Sequence, residues 1–417
     1  MRRPHSFSTI ANTRNPSVQR CAPLAAVIVA SLACFAVSAA SEDLQHDAAQ
    51  APNVWKWGGV YKTDLLRTNA PRLTIGVGNL NLRVDGDAAA LLGWDDTALH
   101  TELLWNHGDK PNRRVATVQG ISNLEVAQSA ARMYASWIER EFKTSGTRVL
   151  FGLYDLNSEF YATDASGLLI HPSFGIGIDF SQSGRNGPSI FPNLGLSLRI
   201  RQALADGHYV QVAAIDGVPG DPDNPGRTVI RLRRDDGALL VAEFGWQERD
   251  ADGPKPGHWG IGTWRYTQRS ERVDGGAPQP NQGVYALAQT LLFDRDAART
   301  TGFVRAGAAN RRVNGVDLAF DAGVMVERPL GEGGPSAFTA GVAVARFARA
   351  QRAAQAALGV ASASNETALE VGARWLPLPS LALQPLLQQV WHPGGRSGAA
   401  ATIVGLRLEW TLGPSKP

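Results

Sequence analysis

The sequence predicts an all-β protein: a transmembrane antiparallel β-barrel of about 16 strands, with inward-folded loops that constrict its pore. Three observations predict this fold. Apolar and polar residues alternate in short segments from about Val54 to Leu412, a secretory signal precedes the segments, and the gaps between them vary between long and short. A period of two is typical of β-strands, because successive side chains point to opposite faces. In a membrane barrel one face meets lipid and the other a wet lumen.

Alternation also assigns the two faces of each segment. We expect apolar side chains to face lipid, among them Leu194, Leu196, Leu198, Ile200, Leu240, Phe244, Leu318, Phe320 and Val404. We expect the charged residues between them to face inward, among them Arg199, Arg201, Glu243, Asp321, Glu370 and Arg374. A charge on the lipid face near the midplane costs about 2–4 kcal/mol, which constrains the assignment. A soluble β-sandwich with charges facing water gives the same local pattern and is the alternative fold.

Residues 1–40 have the features of a secretory signal peptide. Four arginines precede an apolar run from Cys21 to Ala40, which ends in small residues suited to cleavage. Polar Ser41 follows without the basic flank that a membrane anchor prefers, so an uncleaved anchor is the alternative. Cys34 resembles a lipoprotein site, but the apolar run continues beyond it. We expect residues 41–53 to form a short periplasmic lead-in.

Charge and cysteine content argue against several kinds of site. The formal net charge of +3 becomes −1 without residues 1–40, which hold four arginines and no acidic residue. A nucleic-acid role therefore loses its electrostatic argument. Both cysteines, Cys21 and Cys34, lie in the same stretch, so a mature chain has no thiol, disulfide or sulfur ligand. We expect no nucleic-acid partner, no metal and no other cofactor.

About sixteen alternating segments fill residues 54–412. An even number is the rule for single-chain bacterial barrels, and a barrel of this size leaves an aqueous channel. The segments start near Val54, Leu73, Thr97, Arg132, Thr147, Leu194, Tyr209, Ala238, Trp259, Gly283, Thr301, Asp317, Ser336, Glu366, Leu381 and Ala400.

The gaps between segments predict the orientation of the barrel. They are long after the third, fifth, seventh, ninth and thirteenth segments and short after most even-numbered ones, such as Thr144–Gly146 and Pro377–Pro379. Bacterial barrels have short periplasmic turns and long outer loops. With both termini in the periplasm the long gaps lie outside, which predicts a protein of the bacterial outer membrane. The first gap is shorter than this rule expects, and the second, near residues 85–96, is longer.

The gap after the fifth segment, residues 157–193, is the least ordinary stretch. It is too long and too apolar for a loop in water, so we expect it to pack inside the barrel and narrow the pore. Its polar groups suit the hydroxyl groups of a solute such as a sugar. These groups are Asn157, Glu159, Asp164, Asp179, Gln182, Arg185 and Asn186. We expect Phe160, Tyr161, Phe174 and Phe180 to offer faces to sugar rings; the alternative is that they hold the loop to the wall.

Residues 152–192, together with the following Leu194–Arg199, resemble the outer-membrane carbohydrate-selective porins of the OprB type. The same resemblance extends to Asn53–Gly59, Asp216–Pro222 and Asp236–Trp246. It implies a sixteen-stranded barrel that passes glucose and related sugars by diffusion down their gradient. It also implies that the loops after the third and fifth strands fold into the channel.

The C-terminus departs from this family pattern. Such barrels usually end on an aromatic residue that serves assembly, whereas here the last segment stops near Leu412 and a tail, residues 413–417, follows. Either Trp410 or Leu412 is left to supply the signal for the outer-membrane assembly machinery. Four tryptophans lie near segment ends, as interfacial aromatic girdles predict: Trp246, Trp264, Trp375 and Trp410.

Catalytic motifs do not stand out in this sequence. The eight histidines show neither a His-Glu-x-x-His motif nor zinc spacing, and there is no Gly-x-Ser-x-Gly elbow. We therefore expect that the chain is not an enzyme. Scattered Ser, His and Asp residues leave an outer-membrane hydrolase as an alternative.

The leading hypothesis is an outer-membrane porin through which glucose-type monosaccharides diffuse passively into the periplasm. A general non-selective porin is the first alternative, ahead of a hydrolase or a secreted binding protein. The expected partners are carbohydrates, outer-membrane lipid and the assembly machinery, and a homo-oligomer is left open. We expect a mixed-sign pore eyelet that binds solutes weakly enough to release them. Its predicted residues are Arg148, Glu159, Asp164, Arg185, Asn186, Arg199, Arg201 and Glu243.

Overall fold

Sixteen antiparallel strands form one closed barrel in the computed structural model, which describes residues 55–250, 253–295, 298–330, 334–357, 359 and 361–413. Each strand pairs with its neighbours along the chain, and β1 pairs with β16, so no strand edge of the barrel is left open. The strands are β1 (Trp55–Asn69), β2 (Arg72–Asp87), β3 (Thr97–Gly108), β4 (Ala130–Phe142), β5 (Thr147–Tyr154), β6 (Gly195–Ala203), β7 (His208–Asp216), β8 (Ala238–Asp250), β9 (Gly253–Ser270), β10 (Gln279–Arg295), β11 (Ala298–Ala309), β12 (Val316–Leu330), β13 (Gly334–Phe347), β14 (Asn365–Leu378), β15 (Leu381–Trp391) and β16 (Ala400–Leu412).

Short helices occupy some of the connections. They are α1 (Ala88–Leu92), α2 (Pro111–Val115), α3 (Ile178–Ser181) and α4 (Arg349–Ala357). Single 3₁₀ turns lie at Leu156–Ser158, Asp164–Ser166, Pro172–Phe174, Ala205–Gly207 and Pro393–Gly395. Among the described residues, no helix is both long enough and apolar enough to cross a membrane.

The structure confirms the predicted fold class and most of the predicted strand starts. The main difference is at β9, which begins at Gly253 and not near Trp259. The intervening Pro254 and Pro256 break the alternation and are typical of turns, yet Arg249 of β8 still pairs with Pro254 across a register shift. The expected signal peptide and lead-in, and all but the first residue of the tail at 413–417, lie outside the described residues, so these boundaries stay predictions.

The assignment of faces holds along most strands. Leu198, Leu240 and Phe320 are exposed on the outer face, whereas Arg199 and Glu370 point inward and are buried. These inward charges are almost fully covered, which alternation does not predict.

Two expectations about faces are wrong. Leu194 is buried, because β6 begins one residue later and Leu194 packs with Leu104 and Leu153. Trp264 is 1 % exposed and does not belong to an interfacial girdle. It points inward and packs under the chain that enters the barrel after β5, whereas Trp410 is 57 % exposed on the outer face.

The long connections follow odd-numbered strands, at the barrel end opposite Trp57 and Gly413. We name the connections at this end by the strand they follow: loop 3 (residues 109–129), loop 5 (155–194), loop 7 (217–237), loop 9 (271–278), loop 11 (310–315) and loop 13 (348–364). Loops 3, 5, 7 and 13 are long as predicted, whereas loop 9 is shorter than predicted because β9 and β10 extend into the gap. The second connection is longer than its even-numbered neighbours because it contains α1. This arrangement agrees with the predicted parity for most loops, and the rule that long loops are extracellular assigns this end of the barrel to the outer side.

Loop 7 fills a notch in the outer edge of the wall. Strands β5, β6 and β7 have 8, 9 and 9 residues, whereas β4 and β8 have 13. The difference from β4 lies at the outer edge, because the last pair with β5 is Ser136–Leu153 and residues 130–135 of β4 extend beyond it. On the other side β8 starts level with β7, where Ala238 pairs with Asp216. Loop 7 crosses this gap: the Pro225 carbonyl accepts from Arg132 at 2.7 Å, and the Thr228 hydroxyl donates to the Met133 carbonyl at 2.5 Å.

Candidate functional site

Loop 5 enters the barrel and reaches its far wall. The backbone N–H groups of Ile170 and His171 donate to the Glu370 carboxylate of β14, both at 2.8 Å. At least six strands separate β5 from β14 in either direction around the barrel. Gln388 donates to Glu370 at 3.0 Å, so this fully buried carboxylate has three hydrogen-bond donors. Burial of a carboxylate is costly without such donors, and here they come mainly from the loop backbone.

Loop 3 is held by the same strand, four residues nearer its outer end. The Glu366 carboxylate accepts from the backbone N–H groups of Val118 at 2.9 Å and Gln119 at 2.8 Å. The Gln119 side chain returns a hydrogen bond to the Glu366 carbonyl at 3.1 Å. Loops 3 and 5 also bind each other, since the Asn123 N–H donates to the Ile170 carbonyl at 2.9 Å.

A buried ion pair fixes loop 3 to the seam of the barrel. Arg407 of β16 contacts both carboxylate oxygens of Asp64 on β1, at 2.6 and 2.8 Å. The hydroxyl of Ser122 donates to Asp64 at 2.7 Å, and Arg407 donates to the Asn123 side chain at 2.7 Å. The ion pair and these two hydrogen bonds therefore connect β1, β16 and loop 3.

Glu243 anchors the first part of loop 5. Its carboxylate accepts four hydrogen bonds, from the hydroxyls of Tyr209 and Tyr285, from Gln211 and from the backbone N–H of Tyr161, at 2.8–3.1 Å. With four donors and 2 % exposure, Glu243 has no free position for a solute in this geometry.

Arg305 of β11 binds the carbonyl groups of the same loop. It donates to the backbone carbonyls of Tyr161 at 3.1 Å, Ser173 at 2.9 Å and Gly175 at 2.7 Å. Two separate parts of loop 5, at Tyr161 and at Ser173 and Gly175, thus bind one guanidinium group, whose planar set of donors suits several acceptors at once.

The aromatic residues of loop 5 pack against the wall. Tyr161 stacks on Tyr285 with ring centroids 4.2 Å apart, and Phe180 stacks on Trp264 at 4.7 Å with parallel planes. Together with Phe160 and Phe174 these loop rings are at most 1 % exposed. The expectation that they offer faces to sugar rings is wrong, and the alternative that they hold the loop is confirmed.

Burial shifts the ionisation of three loop 5 side chains. It raises the pKa of Asp179 to about 7, and it lowers the pKa of His171 to about 3. Asp155, where the loop leaves β5, accepts a hydrogen bond from Tyr134 at 2.5 Å, and burial raises its pKa to about 6. In each case the low-dielectric surroundings favour the neutral form.

An open passage remains between the two loops and strands β1 to β4. A cavity of about 380 Å³ lies there. It is lined mainly by polar side chains, namely Lys62, Asn79, Asn81, Arg83, His100, Glu102, Asn123 and Arg407, with Leu124, Tyr134 and Phe191 at its loop side. A second cavity of about 570 Å³ lies toward the end of the barrel with Trp57 and Gly413, and its lining includes Lys56, Asp85, Trp137, Glu139 and Glu141.

Charges along this passage are arranged in opposite-sign contacts: Lys62 lies 3.5 Å from Glu409, and Arg83 lies 4.0 Å from Asp85. The His100 ring contacts Asp85 at 2.7 Å and stacks on Trp137. Elsewhere, Arg148 contacts Glu139 at 3.0 Å. A lining of paired charges and amides offers hydrogen-bonding groups of both kinds without a strong net field.

The structure brings together five of the eight predicted eyelet residues. Arg199 bridges Glu139 at 2.5 Å and Glu159 at 2.8 Å, and Arg148 joins the same group through Glu139. Arg201 lies beside them in the sheet, with its guanidinium 3.9 Å from the Tyr209 ring centroid.

Glu243 connects to this group through Gln211, to which Arg201 donates at 2.7 Å. Within the group, Arg199 has a side-chain exposure of 1 % and lies beneath loop 5 with Glu243, whereas Arg148 and Glu159 are partly exposed.

The other three predicted residues lie apart from this group. Asp164 is exposed on a 3₁₀ turn of loop 5, 3.5 Å from the Gln289 amide. Arg185 pairs with Asp236 at 3.1 Å, and Asn186 donates to the Pro219 carbonyl at 2.6 Å. Both partners belong to loop 7, so these two residues hold the outer edge of loop 5 to the notch described above.

The predictions missed the passage residues on β2, β3 and β4, among them Asn81, Arg83, His100, Glu102 and Trp137. A signal was present, because Asn81, Arg83 and Asp85 alternate with Leu80, Leu82 and Val84. Only the path of the loops shows that this part of the wall stays uncovered.

A model of the carbohydrate-selective porin, OprB family matches residues 75–412. The chain belongs to this family. Membership confirms the predicted function class, since the OprB family is one of carbohydrate-selective outer-membrane channels and not of enzymes. Carbohydrates are therefore the solutes, and the bacterial outer membrane is the location.

Solved structures agree with this assignment at the level of the fold. OprB of Pseudomonas putida at high pH matches with a TM-score of 0.75 and 16 % identity, over 86 % of this chain and 94 % of that one. The low-pH structure of the same porin gives 0.53 and 14 %, over 86 % and 92 %. An anion-selective porin from Comamonas acidovorans gives 0.52 and 12 %, over 86 % and 99 %. No curated protein matches the chain.

Proposed function

We propose that this OprB-family porin passes glucose-type monosaccharides through the gap between loops 3 and 5 and strands β1 to β4. One observation carries the proposal: both loops are anchored to β14 through Glu366 and Glu370, and a polar cavity lies between them and β1 to β4. A fixed constriction supports selection among neutral solutes by size and by hydroxyl pattern, because its shape does not adapt to each solute.

The lining suits a neutral, hydroxyl-rich solute better than an ion. The side-chain amides of Asn81 and Asn123 both donate and accept hydrogen bonds. The Glu102 carboxylate accepts them, and each ring nitrogen of His100 either donates or accepts one. Since most charges have an opposite neighbour, an ion gains little by entering. Sugars then bind weakly and leave quickly, as conduction requires.

We propose distinct roles for the predicted eyelet residues. Arg148, Glu159 and Arg201 lie next to Glu139, which lines the second cavity, and we propose that they contact the solute there. Asp164 lies near Gln289 of β10, away from this passage, so any contact that it makes with a solute is at a different part of the lumen. Arg199 and Glu243 fix the loop that forms the constriction, and Arg185 and Asn186 fix its outer edge against loop 7.

Liposome swelling with the purified full chain tests the monosaccharide preference. Proteoliposomes are mixed with isotonic glucose, with a disaccharide, or with a neutral amino acid of a size similar to glucose. We expect glucose to give the fastest swelling. Equal rates for all three solutes would contradict selectivity and leave a general porin.

The remaining partner proposals concern the outer wall. Exposed apolar residues such as Leu240, Phe244 and Val404 form the surface proposed to contact outer-membrane lipid. We propose that Trp410, exposed near the end of β16, serves recognition by the assembly machinery. Folding of W410A and L412A into outer membranes, compared side by side, separates the two candidate signals. Cross-linking of the protein in membranes tests for a homo-oligomer.

A further inference from the structure

Five arginines cluster on loops 11 and 13 and the strand end between them. They are Arg311, Arg312, Arg346, Arg349 and Arg352, and we call them the arginine rim. Only one acidic residue accompanies them in residues 310–317 and 346–364, namely Asp317. The two loops form one surface, because the Ala348 N–H donates to the Gly315 carbonyl at 2.9 Å.

The pairing register places Arg346 on the lipid side of the wall. In β13 the outward residues include Phe338, Val342 and Val344, and Arg346 continues this column at its outer end. Arg346 pairs across the sheet with Leu318, whose neighbour in the outward column, Phe320, is exposed. A basic residue directly above an apolar outward column lies where the acyl chains of a membrane give way to its head groups.

The positive charge of the rim is mostly uncompensated within the described residues. Arg346 forms an ion pair with Asp317 at 2.8 Å, and its side chain remains 53 % exposed. Arg311, Arg312 and Arg349 are exposed, and none of them forms an ion pair with another described residue. The Nε of Arg352 is buried and has no hydrogen-bond partner among them. The guanidinium N–H groups of the rim can therefore donate to an anion that is not part of the chain.

We propose that the arginine rim binds the phosphate groups of a phosphorylated lipid in the outer leaflet. Guanidinium groups bind phosphate oxygens in pairs, and basic residues at a membrane surface attract anionic head groups. The apolar column beneath Arg346 contacts the acyl chains of the same lipid. A solute entering the channel is a poorer fit, because Arg346 points away from the lumen.

Lipid binding to the full-length protein in detergent tests this proposal. The probes are diphosphorylated lipid A, its dephosphorylated form and inorganic phosphate, and binding is followed by native mass spectrometry. The test variant is R311Q/R312Q/R349Q, which leaves the Arg346–Asp317 pair intact. We expect the wild-type protein to prefer the diphosphorylated lipid, and the variant to lose affinity by on the order of 100-fold.

A matched control removes three arginines elsewhere on the outer side. In loop 7, Arg227, Arg233 and Arg234 are also exposed, but Asp223 and Asp235 lie among them. We expect R227Q/R233Q/R234Q to bind the diphosphorylated lipid as the wild type does. Heat-modifiable migration of both variants verifies that the barrel is folded, and R349E alone, a single reversal on exposed α4, provides a second variant.

Four results would overturn the proposal. The first is equal affinity for the diphosphorylated and the dephosphorylated lipid, and the second is an equal loss of lipid affinity in the loop 7 control. The third is displacement of the lipid by inorganic phosphate at equal concentration. The fourth is a change of oligomeric state in the rim variant with unchanged lipid affinity, which would assign the surface to a second copy of the chain. None of these results bears on sugar passage, which the swelling assay measures separately.

Discussion

Arg305 and Asp321 form an ion pair behind loop 5, with their Nε and Oδ1 atoms 2.8 Å apart and side-chain exposures of 0 % and 2 %. Both residues face inward from adjacent strands, β11 and β12. Neither residue lines the passage. The other N–H groups of Arg305 donate to backbone carbonyls of loop 5. Charges inside this barrel thus serve two purposes: some line the passage, and others hold the loop that shapes it.

Loss of Arg305 is expected to loosen loop 5. R305M removes three loop contacts and leaves Asp321 as an unpaired buried charge, a change that typically costs about 3–5 kcal/mol. We expect a lower unfolding temperature and a larger single-channel conductance. R299Q, on the same strand but exposed, is the control. The double variant R305M/D321N should recover stability but not the original conductance; an unchanged conductance in R305M would contradict the anchoring role.

The two tryptophans Trp264 and Trp410 are expected to respond differently to removal. Trp264 packs against Phe180 inside the barrel, so W264A leaves a cavity and typically costs about 3–5 kcal/mol. Trp410 is exposed on the outer face, and W410A should cost clearly less in detergent. Urea unfolding followed by tryptophan fluorescence measures both. A loss below about 1 kcal/mol in W264A would show that the packing beneath loop 5 contributes little to the stability of the barrel.

Charge changes in the passage are expected to shift ion selectivity. Glu102 lines the passage, so E102Q makes the lining more positive and should move the reversal potential in a KCl gradient toward that of chloride. R83Q should move it in the opposite direction. D223N, an exposed carboxylate on loop 7, removes the same charge away from the passage. An equal shift in D223N would place the selective region at the outer surface.

The sequence predicts the barrel better than it predicts the passage. Alternation depends only on neighbouring residues, so it locates nearly every strand and assigns Glu243 to the inner face, on which Glu102 also lies. The difference between them comes from loop 5, which covers Glu243 and leaves Glu102 open. That path depends on contacts far apart in the chain, such as those of Ile170 with Glu370, which no local pattern encodes.

Contacts far apart in the chain also explain why the predicted role of the loop 5 aromatic residues in sugar binding is wrong. Aromatic residues in a polar loop, such as Phe180 and Tyr161, are typical of sites that stack on sugar rings. In the structure these two rings stack on Trp264 and Tyr285 of the barrel wall instead. Composition identified loop 5 as too apolar for water, and that prediction is confirmed. Composition does not predict which wall residues these apolar side chains pack against, because that depends on the tertiary structure.

The stability of loop 5 is expected to depend on pH through Asp179. Its carboxylate lies 3.5 Å from the Tyr161 hydroxyl and against Gly307 of β11, with the charge of Asp321 nearby, and burial raises its pKa from 3.8 to about 7. Below about pH 4 the carboxyl is neutral in both the folded and the unfolded chain. Between pH 4 and 7 the unfolded chain loses the proton and the folded chain keeps it, so stability falls as the pH rises and then levels off.

D179N keeps a neutral side chain of the same size and should remove this dependence. At pH 8 the variant is expected to be more stable than the wild type by a few kcal/mol, at about 1.4 kcal/mol per pKa unit. At pH 4 the two should be nearly equal. Thermal unfolding of the folded barrel at pH 4, 6 and 8 measures the effect, with D164N, an exposed carboxyl of the same loop, as control. Parallel pH profiles for wild type and D179N would show that Asp179 is already ionised in the folded barrel.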